Sequence, residues 1–300
     1  EGHIDSVVMA CSAEPFTNSD FGRYLDILKR RGATYEKWLA TNGLLMTDSI
    51  AQKLVEHPLD WLVVSIDGAT AQTYNRLRSG GKFDRLLERL DALNRIKRER
   101  DAERPFLRFN VIISRLNYEE LPQFVELAAE KNVAEVTFQH LVPFEGLGLE
   151  KEALYHENRR RVNEIFEQTR QRAHQLGVSI GDLQGFRNPL QCFGDLMADM
   201  VKRIGGKENG HFCTHIWRSI LFNSRGHVFP CFCWFNEPPM GNLQEKSLRE
   251  IWNGERYVQL RRELSGQARV REHCIQCSHI GQPRLTRRAF REQPIDLYNL

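Results

Sequence analysis

The chain has 300 residues, of which 41% are hydrophobic, and its 42 lysines and arginines against 39 aspartates and glutamates give a net charge of +3. That hydrophobic fraction can form a full core, which excludes a mostly disordered chain and favours one large domain plus a small one. Charges of both signs alternate along helix-like stretches, as on solvated helix faces, so we expect no nucleic-acid partner.

The sequence contains no run of about 18 apolar residues that could span a bilayer, and no charged-then-apolar leader. We therefore expect no membrane partner and a cytoplasmic protein. In that compartment clustered cysteines are more often metal ligands than disulfides.

Strand-like and helix-like segments alternate along the first half of the chain. The predicted strands cover residues 4–9, 34–43, 59–68, 106–113 and 134–141, and the predicted helices cover residues 20–32, 47–57, 83–100 and 118–132. Gly32 is placed to end the first helix, and Thr47 or Asp48 to cap the second. The apolar run at residues 4–9 is typical of a strand buried on both faces. Alternating strands and helices predict a parallel α/β architecture.

Polar residues lie in the last part of each predicted strand or just after it. They lie in the stretches CSAEP (11–15), ATNG (40–43), SIDG (65–68), RFNVI (108–112) and FQHL (138–141). Each stretch alone is ordinary turn or loop chemistry. The carboxyl ends of parallel strands meet at one edge, however, so together these residues would surround a small polar ligand.

The pattern changes after about residue 180. The following stretch is irregular and punctuated by glycine, and six of the seven cysteines fall from residue 192 onward. We therefore predict a first domain over residues 1–185, a small second domain over residues 186–284 and a tail over residues 285–300.

Four late cysteines form the best candidate metal site. Cys213 and Cys231 flank two predicted short strands joined by the turn at residues 223–226, and a hairpin brings its two ends close together. Cys274 and Cys277 form a CxxC knuckle that can aim two sulfurs at one metal centre. Buried apolar thiols are the alternative interpretation. Zinc and a 4Fe–4S cluster both accept four thiolates, and the spacing does not choose between them.

The residues around these cysteines have secondary roles. Cys233 would face the same side of a strand as Cys231, so it is an alternate ligand or a neighbour of the metal site. Cys192 has no assigned role. Three histidines beside the cysteines are less favoured ligands: His211, His215 and His273. Five aromatic residues are expected to form the core of the small domain: Trp217, Phe229, Phe232, Trp234 and Trp252.

Three stretches, at residues 63–93, 110–138 and 213–257, resemble radical S-adenosylmethionine (SAM) enzymes with a C-terminal SPASM or twitch domain. The last includes the Gly-x-Val-x-Pro-Cys element at residues 226–231. The resemblance spans about residues 4–278 and implies a partial (β/α)6 TIM-like barrel that lacks its first βα unit, plus a small cluster-binding domain. It also implies one auxiliary 4Fe–4S cluster on the four cysteines, in preference to zinc.

The resemblance also implies roles for residues at the strand ends. The Ser-Ala-Glu-Pro stretch at residues 12–15 lines up with the family's Gly-Gly-Glu-Pro motif, which holds the SAM amino group through backbone carbonyls and the glutamate, here Ala13 and Glu14. Ser12 and Ala13 replace the two glycines, a departure from the motif. The other positions matching family contacts to SAM or substrate are Thr41, Asn42, Ser65, Asp67 and Asn110. Arg78 either reaches the SAM carboxylate or solvates its own helix.

One family motif is absent. Radical SAM enzymes hold the catalytic 4Fe–4S cluster with CxxxCxxC, whereas Cys11 is the single cysteine before Cys192. The chain starts at Glu1 instead of methionine, and an uncovered first strand would be an aggregation hazard. We therefore expect a preceding segment that carries this cluster; the alternative is a relative that no longer cleaves SAM. This chain alone is expected to be inactive in SAM cleavage.

The expected function of the intact protein is that of a radical SAM oxidoreductase or maturase. It would form a 5′-deoxyadenosyl radical from SAM, act on a small molecule or a peptide, and receive electrons from a donor such as flavodoxin or ferredoxin. Two alternatives stay open: a non-catalytic iron–sulfur electron-transfer or binding protein, and a zinc-stabilised α/β protein.

Overall fold

The structure is a computed structural model. It describes residues 6–9, 13–30, 35–57, 59–141, 149–154, 157–181, 183, 213, 215–231, 234, 237–265, 267–271 and 274. These residues belong to two compact units, one within residues 1–186 and one within residues 187–294. Each unit is described by itself.

The first unit is built on six parallel strands. They are β1 Ser6–Met9, β2 Glu36–Thr41, β3 Trp61–Ser65, β4 Phe106–Ile113, β5 Glu135–His140 and β6 Ser179–Ile180. Its helices are α1 Phe21–Arg30, α2 Asp48–Glu56, α3 Ala71–Leu77, α4 Phe83–Glu99, α5 Leu121–Glu130 and α6 Arg159–Leu176. The strand order is β1-β2-β3-β4-β5-β6, so each strand pairs with the next one along the chain. The predicted parallel α/β architecture, a partial barrel, is confirmed.

The elements differ from the prediction in three places. All five predicted strands are present, but α3, α6 and the short β6 were not predicted. Thr47, and not Asp48, caps α2, because its hydroxyl accepts a hydrogen bond from Ile50 N at 3.4 Å. Gly32 lies outside the described residues.

The strand β1 corrects one prediction. Residues 7–9 are half-buried and Ser6 is exposed, so this strand is not buried on both faces. It lies at the end of the strand order and pairs with β2 among the described residues. A strand with one described neighbour receives cover from one side, which accounts for its partial exposure.

The sheet has two faces of different character, because side chains alternate along a strand. One face packs against the helices and forms the main core, with Leu62, Phe109 and Val136 fully buried against residues such as Leu90 and Phe124. The other, which we call the inner face, lies outside that core and carries the alternate residues: Trp38, Ala40, Trp61, Val63, Ser65, Phe106, Arg108, Asn110, Ile112, Glu135 and Thr137. The inner face is therefore where polar side chains collect.

The second unit contains a three-stranded antiparallel sheet and short helices. Its elements are α7 His215–Arg218, β7 Leu221–Phe222, β8 His227–Phe229, β9 Gly241–Asn242, α8 Leu248–Trp252 and α9 Glu255–Leu264. The predicted hairpin is confirmed by the antiparallel pairing of β7 with β8, and Gly226 takes a positive φ of 78° in its turn. Residues 215–218 are helical, although they fall at the start of the stretch predicted to hold the two strands.

The small unit has its own core. Trp234 is buried in it and Phe229 and Trp252 pack against it, as predicted, whereas Phe232 lies outside the described residues. Trp217 is 38% exposed, so its assignment to the core is wrong. Its neighbour Ile216 is buried instead, because adjacent residues of a helix face different directions. None of the described helices is long and apolar enough to cross a membrane.

Candidate functional site

Glu14 lies at the centre of the first group of candidate residues. Its Oε1 accepts hydrogen bonds from Thr41 Oγ1 at 2.7 Å and from Phe16 N at 3.3 Å, and its Oε2 accepts one from Asn42 N at 2.8 Å. These contacts tie the loop after β1 to the carboxyl end of β2. Three residues predicted at two separate strand ends are thus brought together.

The carboxylate of Glu14 keeps some capacity for a ligand. A carboxylate has about four acceptor positions. Three donors occupy Glu14 among the described residues, two on Oε1 and one on Oε2, and the side chain is partly exposed. A further N–H donor, such as an ammonium group, can therefore bind Oε2 without displacing a protein contact.

The glycines of the ATNG and SIDG stretches have different physical roles. Gly43 takes a positive φ of 75°, where glycine is favoured, directly after the Glu14 contacts. At Gly68 a Cβ atom would lie 2.1 Å from Tyr74 N and 2.5 Å from Tyr74 Cα. Glycine at this position lets the first turns of α3 approach the end of β3, which places Asp67 at the strand end.

Asp67 is held by two oxygens with different partners. Its Oδ1 accepts a hydrogen bond from Ile112 N at 3.0 Å, and its Oδ2 lies 2.8 Å from Nη2 of Arg78. Arg78 therefore does not simply solvate its helix, and its buried Nε has no acceptor among the described residues. Burial raises the pKa of the neighbouring Tyr74 phenol, the Arg78 charge works against that rise, and the Asp67 carboxylate adds to it.

Two residues that the sequence interpretation missed position this strand end. Asn117 Nδ2 donates to Asp67 O at 2.9 Å and to Ile112 O at 2.8 Å, while its Oδ1 accepts from Ser114 N at 2.7 Å. Glu120 accepts from Ala69 N at 2.8 Å and from two threonine hydroxyls, those of Thr70 just before α3 and of Thr73 in its first turn. The only hint in the sequence is the turn-favouring Ser and Asn after β4, because the partners lie about fifty positions away.

Ser65 and Asn110 are paired in register on neighbouring strands of the inner face. The Oδ1 atom of Asn110 is buried and has no hydrogen-bond donor among the residues that the structure describes. A buried acceptor without a donor is costly, so this atom is suited to a donor group on a ligand. Cys11 and Ser12 lie outside the described residues.

The cysteines of the second unit share one apolar cluster. Cys213 and Cys274 are buried in it, 7% and 6% exposed, and the half-buried Cys231 packs against it. The structure thus places three of the four predicted ligands in one core, while Cys277, Cys233 and Cys192 lie outside the described residues. His211 and His273 do so as well, and His215 Nδ1 lies 2.9 Å from Ser219 Oγ.

Two arginines pack against aromatic residues of this cluster: Arg271 lies 5.0 Å from the ring centroid of Trp234, and Arg261 lies 4.4 Å from that of Trp252. Arg271 forms a two-pronged ion pair with the buried Glu263, at 2.7 Å and 2.9 Å. The hydrogen bonds that Arg271 donates to Glu263 raise the pKa of Arg271, and negative charge at Cys274 adds to that rise. Burial strongly raises the pKa of Tyr257, and the charge on Cys231 contributes while Arg261 opposes it. Positive charge beside apolar, thiol-lined space suits an anionic thiolate-bound metal group.

The thiols do not converge on a metal position in the described part of the chain. No group of three histidine, cysteine, aspartate or glutamate side chains there is arranged to hold a metal ion. The donor chemistry nevertheless fits a soft metal or an iron–sulfur cluster, because three thiols lie in one core.

Comparison with known proteins decides the family. The profile of the radical SAM superfamily matches residues 2–128, and that of SPASM, an iron-sulfur cluster-binding domain, matches residues 213–278. An AdoMet-dependent heme synthase of Methanosarcina barkeri (strain Fusaro / DSM 804) is 31% identical over 245 residues, which cover 80% of this chain and 67% of that protein. The chain belongs to the radical SAM superfamily and carries a C-terminal SPASM iron–sulfur domain.

Other proteins are less similar to this chain. A probable GTP 3′,8-cyclase of Saccharolobus islandicus (strain Y.N.15.51 / Yellowstone #2) is 28% identical over 204 residues, 64% of this chain and 62% of that protein. The chain thus spans about two thirds of the length of these curated relatives. The crystal structure of Streptococcus suis SuiB bound to S-adenosylmethionine has the same fold, with a TM-score of 0.59 at 16% identity over 83% of this chain and 54% of SuiB.

Proposed function

We propose that the intact protein is a radical SAM oxidoreductase or maturase. This chain supplies the inner face for substrate, the auxiliary cluster domain, and a SAM-binding rim at the strand ends. The rim consists of Ala13, Glu14, Thr41, Asn42, Ser65, Asp67, Arg78 and Asn110. The observation that carries the proposal is the Glu14 carboxylate, which Thr41 and Asn42 hold at the carboxyl end of the sheet with one acceptor position to spare. When bound, SAM and a reduced 4Fe–4S cluster would supply one-electron chemistry, giving methionine and a 5′-deoxyadenosyl radical able to take a hydrogen atom from the substrate.

The residues of this chain bind and orient SAM. Oε2 of Glu14 accepts a hydrogen bond from the SAM ammonium group, supported by the backbone carbonyl of Ala13. Asn110 Oδ1, buried without a donor, accepts from a hydroxyl or amino group of SAM or substrate. Arg78 donates from Nε to a carboxylate while Asp67 holds its Nη2. Ser65 lies beside Asn110 on the same face and contacts the same ligand.

The catalytic cluster needs ligands beyond these residues. No CxxxCxxC occurs in the 300 residues. We therefore propose that the chain by itself does not cleave SAM, and that a 4Fe–4S cluster on another segment and an electron donor such as flavodoxin or ferredoxin complete the activity.

The second unit is proposed to hold one auxiliary 4Fe–4S cluster. Its ligands are Cys213, Cys231, Cys274 and Cys277, with Cys233 as the alternate ligand. Support comes from the shared apolar cluster of the three described cysteines and from the match of residues 213–278 to an iron-sulfur cluster-binding domain.

The substrate class is proposed more broadly. SuiB has been crystallised with its precursor peptide SuiA, and the other relatives are a heme synthase and a probable nucleotide cyclase. These names support a small molecule or a peptide, bound on the inner face of the sheet.

Iron–sulfur reconstitution under anaerobic conditions tests the auxiliary cluster. We expect about four irons per chain and broad absorbance near 400 nm, both lost in the double variant Cys274→Ala, Cys277→Ala. The matched control is Cys192→Ala, at a cysteine outside the proposed ligand set. Colourless protein with one zinc per chain would reject the proposed cluster in favour of a zinc site, and only the fold assignment would be retained.

Equilibrium binding of SAM tests the rim. We expect Glu14→Gln to weaken SAM binding about tenfold, since a neutral amide replaces a charge-assisted acceptor. Glu119→Gln is the control, because Glu119 is exposed and contacts Arg161 on α6. Equal, measurable affinity in the wild type and Glu14→Gln would remove Glu14 from the SAM site. Absence of SAM binding in the wild type, with an intact auxiliary cluster, would indicate a non-catalytic iron–sulfur protein.

A further inference from the structure

Arg108 is a buried cation that the proposed SAM site does not use. It lies on β4 two positions before Asn110, or about 7 Å nearer the amino end of the strand, and it is 6% exposed. The alternation of the strand places it on the inner face with Asn110 and Ser65. It therefore lies deeper along the inner face than the residues of the rim.

The guanidinium of Arg108 is only partly satisfied. Its Nη2 donates to Glu135 Oε2 at 2.8 Å, whereas Nε and Nη1 are buried without an acceptor among the described residues. A guanidinium has five N–H donors in a planar fork that matches a carboxylate. One protein carboxylate, bound through a single nitrogen, leaves part of that fork available.

Two indole rings fix the orientation of this guanidinium. Its central carbon lies 4.2 Å from the ring centroid of Trp38 and 4.4 Å from that of Trp61. The two rings are 5.9 Å apart and tilted by 45°, so together they form a wall on one side of the cation. This packing reduces the mobility of a long side chain, which lowers the entropic cost of binding an anion.

We propose that Arg108 forms a subsite that binds a carboxylate group of an organic substrate on the inner face. An N–H of Nε or Nη1, neither of which has an acceptor among the described residues, donates to a carboxylate oxygen, and Trp38 and Trp61 contact the apolar part that carries the carboxylate. Its assignment to substrate rests on the proposed function, but binding of a carboxylate does not need SAM cleavage.

The surroundings favour a carboxylate over phosphate. Glu135 remains bound to the same guanidinium, so each added negative charge is repelled at short range. A carboxylate brings one charge, whereas inorganic phosphate at neutral pH brings more. The partly exposed Trp38 and Trp61 also offer apolar contact area that inorganic phosphate cannot use.

Tryptophan fluorescence of the full 300-residue chain tests the subsite, because two of its five tryptophans contact the cation. Benzoate is the carboxylate probe and inorganic phosphate is the comparison. We expect saturable binding of benzoate, weaker binding of phosphate, and at least a tenfold loss of benzoate affinity in Arg108→Gln, with a smaller loss in Arg108→Lys. Arg104→Gln, at an exposed arginine that pairs with Asp60, should bind benzoate as the wild type does.

Glu135→Gln is the sharpest variant. It removes the competing protein carboxylate from Arg108, so we expect benzoate to bind several-fold more tightly. A purely structural ion pair would give no saturable binding in the wild type and no gain in this variant, and either result overturns the subsite. Phosphate binding as tight as benzoate binding would overturn the carboxylate assignment. The Glu135→Gln measurement stands even if Arg108→Gln does not fold.

The same preparations separate this inference from the proposed function. Iron content and SAM affinity report on the cluster domain and the rim, whereas benzoate affinity reports on Arg108. Benzoate binding without SAM binding would retain the subsite and reject the radical SAM proposal, and the reverse result would do the opposite.

Discussion

The two units hold their candidate site residues by different means. In the six-stranded sheet, hydrogen bonds from the protein itself fix Glu14 and Asp67 at the strand ends. In the small unit, the described cysteines lie in an apolar core but do not meet at a metal position. Protein hydrogen bonds therefore organise the strand ends, whereas the proposed cluster would add its own bonds to the cysteines of the small unit.

Metal loading should show this difference between the two units most strongly. We expect reconstitution with iron and sulfide to stabilise the small unit by several kcal/mol, on the order of structural metal sites, and to leave the sheet unit unchanged. Hydrogen exchange followed by mass spectrometry, with peptides from each unit compared before and after chelation, measures the effect. Equal protection of α9 with and without iron would contradict the comparison.

Gly68→Ala tests how closely the sheet rim is packed. Because the added Cβ would meet the backbone of Tyr74, we expect a loss of about 3 kcal/mol in the free energy of unfolding of the sheet unit. Gly80→Ala is the control, since Gly80 has a positive φ of 72° but no atom within 4 Å of an added Cβ, and about 1 kcal/mol of strain is expected. Equal losses in urea unfolding would show that the close approach at Gly68 can relax.

Asn117→Ala tests the residue that anchors the end of β3. Its side chain makes hydrogen bonds to three backbone groups and is 1% exposed, so we expect a loss of about 2 kcal/mol. SAM affinity should fall as well, because Asp67 loses a support. Asn75→Ala, which removes a single bond from Phe83 N, is the matched control. Unchanged SAM affinity in a destabilised Asn117→Ala would limit Asn117 to a folding role.

Glu263 should give the small unit a weaker, pH-dependent contribution. Burial is the largest single effect and would raise its pKa, but the hydrogen bonds from Arg271 and Gln259 together with the Arg271 charge outweigh burial and lower the pKa below the ordinary value of 4.5. The contribution is therefore complete above that ordinary value and is lost as the pH falls through the lowered pKa. In acid titrations of thermal stability, Glu263→Gln should be less sensitive to pH between about 5 and 3 than the wild type. Glu245→Gln, at an exposed loop residue, should keep the wild-type slope.

Much of the sheet was predictable because its strands are long apolar runs, as at residues 59–68 and 106–113. The helix α3 was missed because its seven residues lie between two glycine-containing turns and give a short periodic pattern. The short β6 has two residues, too few for any alternation to be read. Its pairing with β5 is a tertiary contact, which local sequence does not encode.

The candidate site was predictable to the extent that strand ends share an edge. Glu14, Thr41 and Asn42 were expected at that edge and lie in contact. Asn117 and Glu120 were not predicted, because their role depends on loops about fifty positions away. Arg108 begins the RFNVI stretch but was not singled out as a site residue, since its partners Trp38 and Trp61 come from two other strands. Local pattern predicts where a residue lies, and long-range packing decides what it contacts.

The sequential order of the strands has a consequence for biosynthesis. Because every strand of the sheet pairs with the one made just before it, each new βα segment can dock on a completed edge as it leaves the ribosome. Among the described strands, none pairs with a strand that is made much later, which reduces the loop-closure entropy of assembly. The sheet unit can thus be largely folded before the late cysteines, from Cys213 onward, have been translated.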